Sequence, residues 1–279
     1  MPERPERLIG FQTIGIVPFT LRLPDPDATL AAAMDPVLFQ FGPLTIRWYG
    51  VMLAVTIAVS MIVGYRYGPR FGIPTAVLDR TALTFTIAAL VGARLGYVIS
   101  HPAEFRNLVE IVRVDHGGLT SHGAIAAGLL YLVWAARRYG LSVWSLTDVF
   151  GWSIPIGNVF VRFGNFANGE LYGDPTTLPW GVRFSTAPDA PRHPLQIYEM
   201  LLAGVILLGA RKIAAHRRFE GQVFWSMVVA TSVWRVFFDA LRSDLRAVGL
   251  LTLGQIPALL LIGWGTVALL RGRNRRPVT

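Results

Sequence analysis

The feature that most constrains this chain is a series of long apolar segments separated by short loops. A helix needs about 20 mainly apolar residues to cross the hydrocarbon core of a bilayer. Seven segments approach this length, near residues 48–66, 81–100, 118–136, 145–161, 195–210, 222–240 and 250–270. The composition agrees, since 53% of the residues are hydrophobic and 15% are charged. We therefore predict an all-α polytopic membrane protein with seven transmembrane helices.

The basic residues of the loops predict the orientation, because Lys and Arg of short loops are retained in the cytoplasm. The richer set of loops carries Arg66, Arg70, Arg80, Arg137, Arg138, Arg211, Lys212, Arg217, Arg218, Arg271, Arg273, Arg275 and Arg276, and the poorer set carries Arg106, Arg113, Arg183, Arg192, Arg242 and Arg246. This asymmetry predicts an N-terminus outside and a cytoplasmic C-terminus. The 101–117 and 162–194 loops then face outward.

Three parts of the chain are distinguished by composition. Residues 1–33 show neither the apolar core of a signal peptide nor helical periodicity, and Met34 begins a stretch typical of a protein start. We expect 1–33 to be a disordered or mis-annotated extension. Residues 34–271 form a single membrane-embedded domain in this prediction, and 272–279 form a basic cytoplasmic tail.

Charge and cysteine content exclude several functions. The formal net charge is +9, but the arginines lie between apolar runs, which favours anionic lipid headgroups over nucleic acid as the partner. The chain has no cysteine, so disulfides, thiolate metal sites and a protein-borne thiol nucleophile are excluded. Any thiol in the chemistry must come from a substrate.

The stretch from Arg162 to Gly173 places a cation, two carboxamides and an anion beside a predicted span. A charge near the bilayer centre costs roughly 2.5–3.5 kcal/mol, so this cluster indicates a functional site. In one interpretation Arg162 forms a structural ion pair with Glu170, the nearest acid in sequence. In the other, which we favour, Arg162 binds a phosphate and Asn165 and Asn168 donate to the same group.

The sixth span carries a second charged group. Arg235, Asp239 and Arg242 recur at i, i+4 and i+7, so they share one helix face that must look into the protein. Either the Arg235–Asp239 pair only locks helices together, or these residues form a second cationic part of a headgroup site.

Two further segments leave two interpretations open. The glycines Gly117 and Gly118, shortly before His122, allow either close helix packing or close approach of a ligand. His122 itself, at the membrane edge, is structural or transfers a proton. Tyr49 and Tyr198 lie at interfaces, where Tyr is commonly an anchor.

From about Met34 to the last span, the chain resembles the prolipoprotein diacylglyceryl transferase family of bacterial inner membranes. Four segments carry the resemblance: 35–50 with Arg-Trp-Tyr-Gly at its end, Gly-Gly-Leu-Thr-Ser-His-Gly at 117–123, the signature at 162–173, and His-Pro-Leu-Gln-Ile-Tyr-Glu at 193–199.

The resemblance implies transfer of a diacylglyceryl group from phosphatidylglycerol to the lipobox cysteine thiol of a preprolipoprotein, with release of glycerol phosphate. The implied partners are phosphatidylglycerol, the preprolipoprotein signal peptide and membrane lipids, with no metal, cofactor or nucleic acid. The implied catalytic residues are Tyr49, His122, Arg162 and Arg235, with His122 assisting thiol deprotonation. The implied substrate-binding residues are Arg162, Asn165, Glu170, Gly173 and Arg235. To these the residue patterns described above add Gly117, Gly118, Asn168 and Asp239 as candidates for substrate binding.

The chain departs from the family pattern at four positions, namely Arg47 for His, Val161 for Gly, Thr231 for Tyr and Asp239 for Glu. Two alternatives therefore stay open. Thr231 and Asp239 favour a diverged paralogue. A non-catalytic lipid-binding or transport protein would instead place its charges along a path through the membrane.

Overall fold

The computed structural model describes residues 36–41, 44–105, 107–112, 118–242, 246–248, 251–252 and 254–274. Its helices are α1 Trp48–Tyr67, α2 Thr75–Ser100, α3 Leu108–Val112, α4 Ser121–Tyr139, α5 Val143–Phe150, α6 Ser153–Ala167, α7 Leu195–Ala215, α8 Gln222–Asp239 and α9 Gln255–Arg273. The predictions for residues 1–33, for Gly117 and for most of the basic tail lie outside the described residues.

A helix or helix pair coincides with each of the seven predicted spans. Three helices in the described part of the chain are long and apolar enough to cross a membrane, namely α1, α2 and α9. The fifth predicted span, near 195–210, is longer than expected, because α7 has 21 residues. The chain is therefore mostly helical with membrane-type helices, and the count of seven spans stays a prediction.

The fourth predicted span, 145–161, is divided between two helices. Helix α5 ends at Phe150 and α6 begins at Ser153. Pro155 is the third residue of α6, where its missing N–H removes no intrahelical hydrogen bond. Proline is tolerated in a first helical turn but not in the interior, so a single helix across residues 145–161 is disfavoured. The position of Pro155 in the sequence therefore already indicated that this segment is divided.

The structure is mostly helical, as predicted, but its described residues also form three short antiparallel hairpins that an all-α fold does not include. Their strands are β1 Val37–Phe41 with β2 Leu44–Arg47, β3 Val182–Phe184 with β4 Ala187–Arg192, and β5 Arg246–Val248 with β6 Leu251–Thr252. Strands this short satisfy backbone hydrogen bonds within loops without a long alternating pattern, which is why hydropathy alone misses them.

The chain divides into two compact units. Among the described residues, the first unit draws on 36–56, 157–204 and 234–256, and the second draws on 57–156, 205–233 and 257–274. In the second unit, α2 and α4 pack closely through glycine. A Cβ on Gly92 would lie 2.5 Å from the carbonyl oxygen of Gly123, and one on Gly96 would lie 2.9 Å from its Cα. The absence of a side chain at Gly123 therefore allows α2 and α4 to approach closely.

The second unit also contains a buried ion pair. Asp148 on α5 is fully buried, and its Oδ2 lies 3.1 Å from Nε of Arg217. The same carboxylate accepts the backbone N–H groups of Gly221, at 2.8 Å, and Phe224, at 2.7 Å. These are N–H groups at the start of α8, so Asp148 fixes that helix end to α5.

In the first unit, an aromatic core ties the β3–β4 hairpin to the end of α6. Phe166 and Phe184 are buried with ring centroids 5.8 Å apart, and Tyr172 stacks on Phe184 at 4.9 Å. Such pairs add about 0.5–1.5 kcal/mol each beyond area burial. They hold the turn that follows α6, which carries the residues described next.

Candidate functional site

A Schellman turn ends α6 and brings Asn165 next to Glu170. The Glu170 N–H donates to the carbonyl oxygen of Asn165 at 3.0 Å, and the Gly169 N–H donates to that of Phe166 at 3.0 Å. Gly169 has φ +65°, the left-handed conformation that this motif requires and that glycine adopts without strain. The backbone thus places Glu170 over the last turn of α6.

Neutral amides hold Glu170 in place. Its Oε1 accepts Nδ2 of Asn165 at 2.8 Å and Nδ2 of Asn168 at 3.3 Å, and its backbone carbonyl accepts Nε2 of the fully buried Gln196 at 2.6 Å. The structure therefore gives these asparagine donors to Glu170. Their direct contact with a phosphate stays a prediction.

The interpretation of Arg162 and Glu170 as an ion pair is wrong. Arg162 pairs with Glu199 on α7, and their side chains are only 16% and 13% exposed. Nη1 of Arg162 also lies 3.5 Å from Oδ1 of Asn165, one turn along α6. A buried guanidinium needs a charged partner, and here the partner comes from another helix rather than from the nearest sequence position.

The predicted pair on the sixth span is confirmed. Nε of Arg235 lies 3.0 Å from Oδ1 and 3.1 Å from Oδ2 of Asp239, so the shorter acid still reaches it. Oδ2 also accepts the hydroxyl of Thr252 at 2.9 Å. The Asp239 side chain is 6% exposed whereas that of Arg235 is 45% exposed. The acid is thus a fixed anchor and the guanidinium remains accessible.

These charges form one cluster within the first unit. Glu199 is acted on electrostatically by Arg162, Arg235 and Arg242, as well as by Asp239. Arg162 is in turn influenced by Arg235 and Arg242. We name these five residues the arginine cluster. The cluster thus contains three guanidiniums, from α6, α8 and the turn after α8, and the planar fork of a guanidinium suits phosphate oxygens.

Tyr49, on the first turn of α1, lies beside this cluster. The charges of Glu170 and Arg162 both act on its phenol. The α1 backbone approaches α6 closely at this point, because a Cβ on Gly164 would lie 3.0 Å from Cα of Tyr49. The half-buried ring therefore lies on a part of α1 that packs against α6, and its catalytic role stays a prediction.

Gly173, the last residue of the signature, fits beneath the His193 segment. Its N–H donates to the His193 carbonyl oxygen at 2.9 Å, and a Cβ would lie 2.8 Å from Cβ of His193. Beyond it, the Tyr198 hydroxyl accepts Nε1 of Trp180 at 2.6 Å and lies 3.4 Å from Nδ1 of His193. Gly173 thus has a packing role that needs no ligand.

The remaining predicted site residues belong to the second unit. His122 is exposed on the first turn of α4, and its role stays a prediction. Gly118 has φ +79°, and its carbonyl oxygen accepts Nη1 of Arg94 at 2.9 Å. Arg94 also donates to the carbonyl oxygens of Glu110 and Ile111, so one side chain binds both α3 and Gly118.

The ion pair between Glu199 and Arg162 was not predicted from the sequence. Glu199 lies in the His193–Glu199 segment, but no function was assigned to it. An available signal was the charge itself, because an acid early in an apolar helix needs a cationic partner.

Comparison with known proteins decides the family. The model of the family described as prolipoprotein diacylglyceryl transferase matches residues 36–271. The chain belongs to this family. Three relatives, each named phosphatidylglycerol–prolipoprotein diacylglyceryl transferase, illustrate the similarity. The protein of Nitratidesulfovibrio vulgaris is 35% identical, with 86% of this chain and 95% of the relative covered.

The second relative, from Solidesulfovibrio magneticus, is 36% identical, with 85% of this chain and 94% of the relative covered. The third, from Methylococcus capsulatus, is 33% identical, with 88% and 97% covered. The match spans all the residues of the arginine cluster. As a member of the prolipoprotein diacylglyceryl transferase family, the chain is a transferase with membrane-type helices.

Thr231 is one of the positions at which the chain departs from the family pattern. Its hydroxyl donates to the carbonyl oxygen of Met227 on α8 at 2.7 Å.

Proposed function

We propose that this chain transfers a diacylglyceryl group from phosphatidylglycerol to the lipobox cysteine thiol of a preprolipoprotein and releases glycerol phosphate, the first step of lipoprotein maturation. The observation that carries the proposal is the family match across residues 36–271. The arginine cluster supports it, because guanidiniums suit the phosphate oxygens of an anionic phospholipid headgroup.

The proposed reaction is a displacement at carbon. The thiolate sulfur attacks the glycerol carbon that carries the phosphate ester, so a C–S bond forms while the C–O bond breaks. The departing oxygen keeps the electron pair of the broken bond, and the thiol proton passes to a base and then to solvent. The assignment of that base to His122 rests on the family resemblance alone.

In this proposal Arg162 and Arg235 hold the phosphate and stabilise the charge that develops on it. The Arg162 side chain is 16% exposed and pairs with Glu199, which holds it in position before the donor arrives. Arg235 is more accessible and is held by Asp239. Preorganised charges of this kind are usually the largest catalytic contribution, and loss of one donor commonly costs about 10²–10³ in turnover.

We further propose that the chain crosses the bacterial inner membrane seven times, with its N-terminus outside and its C-terminus in the cytoplasm. The arginine cluster then opens at the periplasmic face, where the lipid, the signal peptide and its cysteine meet it. The basic loops support this orientation.

An assay with purified full-length protein, phosphatidylglycerol and a lipobox peptide tests the activity. Mass spectrometry of the peptide should show the added diacylglyceryl group. Arg162→Gln should lower turnover at least about 10²-fold. Arg137→Gln is the matched control, because Arg137 is exposed at the end of α4 in the other unit. Undiminished turnover in Arg162→Gln would remove that arginine from the proposed role, and an inactive wild type would favour a paralogue or transporter.

The orientation has its own test. The chain has no cysteine, so single introduced cysteines report their own side of the membrane. Leu178→Cys, in the exposed loop after α6, should react with a membrane-impermeant maleimide in intact cells. Arg137→Cys should react with the maleimide only after the cell membrane is permeabilised. The reverse pattern would contradict the proposed orientation.

A further inference from the structure

A groove with aromatic walls lies in the second unit and shares no residue with the arginine cluster. It holds about 620 Å³ of space and is open to the surroundings. The start of α5, the turn before α8, the first turn of α8 and the second half of α9 contribute to its walls. Four aromatic and two charged residues line it, namely Trp144, Phe219, Trp225, Trp264, Glu220 and Arg271. The proposed reaction uses none of them.

Buried contacts fix the turn that forms one wall of the groove. Arg217, which pairs with the buried Asp148, donates from Nε to the carbonyl oxygen of Phe219 at 3.3 Å. Gly272 on α9 packs directly on the Phe219 ring, where no larger residue would fit. The turn is therefore held against both α5 and the end of α9, and the groove is formed without a ligand.

A glycine brings two of the indole rings together. Gly221 has φ +84°, and a Cβ there would lie 3.3 Å from Cε3 of Trp144 and 3.4 Å from Cδ1 of Trp225. Because Gly221 has no side chain, the two ring centroids approach to 5.7 Å. Tryptophan rings attract cations more strongly than other aromatic side chains do, and sets of such rings recognise ammonium groups.

The two charged residues of the groove have opposite signs and are not paired. Phe219 contacts Gly272, so their chain neighbours Glu220 and Arg271 come to the same groove. In the described part of the chain, neither of these two side chains forms an ion pair or a hydrogen bond with another residue. A groove with one free carboxylate and one free guanidinium is complementary to a ligand that carries both an ammonium and a phosphate.

The position of the groove on α9 indicates that this ligand also carries acyl chains. Helix α9 is long and apolar enough to cross a membrane, and Arg271 lies in its last turn. Trp264 is seven positions earlier, about 10 Å along the helix axis. Trp264 and Leu260 are 71% and 70% exposed, so an apolar surface continues from the groove along α9. Trp and Arg near the end of a span lie at the level of lipid headgroups.

We propose that this groove binds a phospholipid whose headgroup carries an ammonium as well as a phosphate, such as phosphatidylethanolamine. Arg271 binds the phosphate, Glu220 and the aromatic rings bind the ammonium, and the acyl chains lie along α9. The headgroup of phosphatidylglycerol has no cation, so this site differs in chemistry from the proposed donor site. In the orientation proposed above, the bound lipid belongs to the cytoplasmic leaflet.

Native mass spectrometry of the purified full-length chain in detergent tests the proposal directly. The probes are phosphatidylethanolamine and its N-acetyl derivative, which keeps the phosphate and the chains but has no ammonium. Phosphatidylglycerol is present throughout, so that the proposed donor site is occupied. The wild type should bind phosphatidylethanolamine at least about tenfold more tightly than the derivative, because hydrogen bonds between charged groups are lost in the derivative.

Variants assign the two parts of the headgroup to their residues. Glu220→Gln should weaken binding of phosphatidylethanolamine about tenfold and leave the derivative unchanged. Arg271→Gln should weaken binding of both lipids. Trp264→Leu keeps an apolar side chain and should weaken phosphatidylethanolamine alone, by about threefold or more. The matched controls are Arg273→Gln, at the same exposed helix end, and Trp134→Leu, on α4, since neither residue lines the groove. They should change neither affinity.

Each outcome decides for or against the site. Equal binding of the two lipids by the wild type overturns the proposal, and this comparison needs no variant. An unchanged preference in folded Glu220→Gln overturns it as well. Equal losses in Trp264→Leu and Trp134→Leu would show a general lipid coat and not a site. The preference should persist in Arg162→Gln, whose turnover is expected to fall, so failure of the proposed function and failure of this inference are distinguishable.

Discussion

Gly254 offers the sharpest test of how the Arg235–Asp239 pair is held. A Cβ at Gly254 would lie 2.5 Å from Oδ2 of Asp239, 2.7 Å from Nη2 of Arg235 and 2.9 Å from its Nε. An ordinary contact begins near 3.4 Å, so in Gly254→Ala the carboxylate oxygen must move by about 0.9 Å. That oxygen accepts both Arg235 and Thr252, and its buried side chain has little room.

The expected loss follows from these contacts. Hydrogen bonds to a charged group contribute about 1.5–3 kcal/mol each, and at least one of the two at Oδ2 cannot survive the displacement. A 1 Å misplacement of a positioning group can lower turnover by about 10²-fold. We therefore expect Gly254→Ala to lower kcat by a factor of about 10–100 and to lower the free energy of unfolding by about 1.5–3 kcal/mol.

The assay compares Gly254→Ala with Gly263→Ala. Gly263 lies on α9 with nothing within 4 Å of its Cβ position, so the same substitution meets open space there. In a helix it should leave stability unchanged or raise it by up to about 1 kcal/mol. Turnover with phosphatidylglycerol and lipobox peptide, and thermal unfolding in detergent, are measured for both. Full activity in Gly254→Ala, or equal loss in both variants, would refute the steric reasoning.

Two other substitutions test different parts of the structure. Asp148→Ala leaves Arg217 as an unpaired buried charge and should destabilise the protein by about 3–5 kcal/mol, seen as a lower thermal midpoint; the exposed Asp189→Ala should not, and equal midpoints would contradict the buried pair. Gly173→Ala pushes its Cβ against His193, 2.8 Å away, and should lower both activity and stability, whereas normal values for both would show that the backbone adapts.

Much of the fold was predictable because long apolar segments have few alternatives. A helix that satisfies its own backbone hydrogen bonds is the natural structure for them, and helices indeed lie at each predicted segment. The break between α5 and α6 was also predictable, since Pro155 cannot occupy a helix interior. The hairpins were not predictable. Strand β6, for example, has only two residues and is too short to show an alternating hydrophobic pattern.

The site was predictable in composition but only partly in its pairings. Arg162 and Arg235 were identified by the cost of a charge in an apolar helix, and the Arg235–Asp239 pair by its i, i+4 spacing. The spacing of charged residues along one helix predicts only the pairs that form within that helix. The partner of Arg162 lies on α7, more than thirty residues away, and packing between helices decides such contacts.

The Arg162–Glu170 interpretation failed for a reason that the sequence does contain. A glycine just after a helix favours a Schellman turn, in which the N–H two residues beyond the cap returns to the carbonyl of the third helical residue from the end. With Gly169 at that position, Glu170 must meet Asn165 rather than Arg162, one turn earlier. Arg162 then requires an acid from another helix, and α7 supplies Glu199. Local capping therefore separates the acid that shapes the turn, Glu170, from the acid that pairs with Arg162, Glu199.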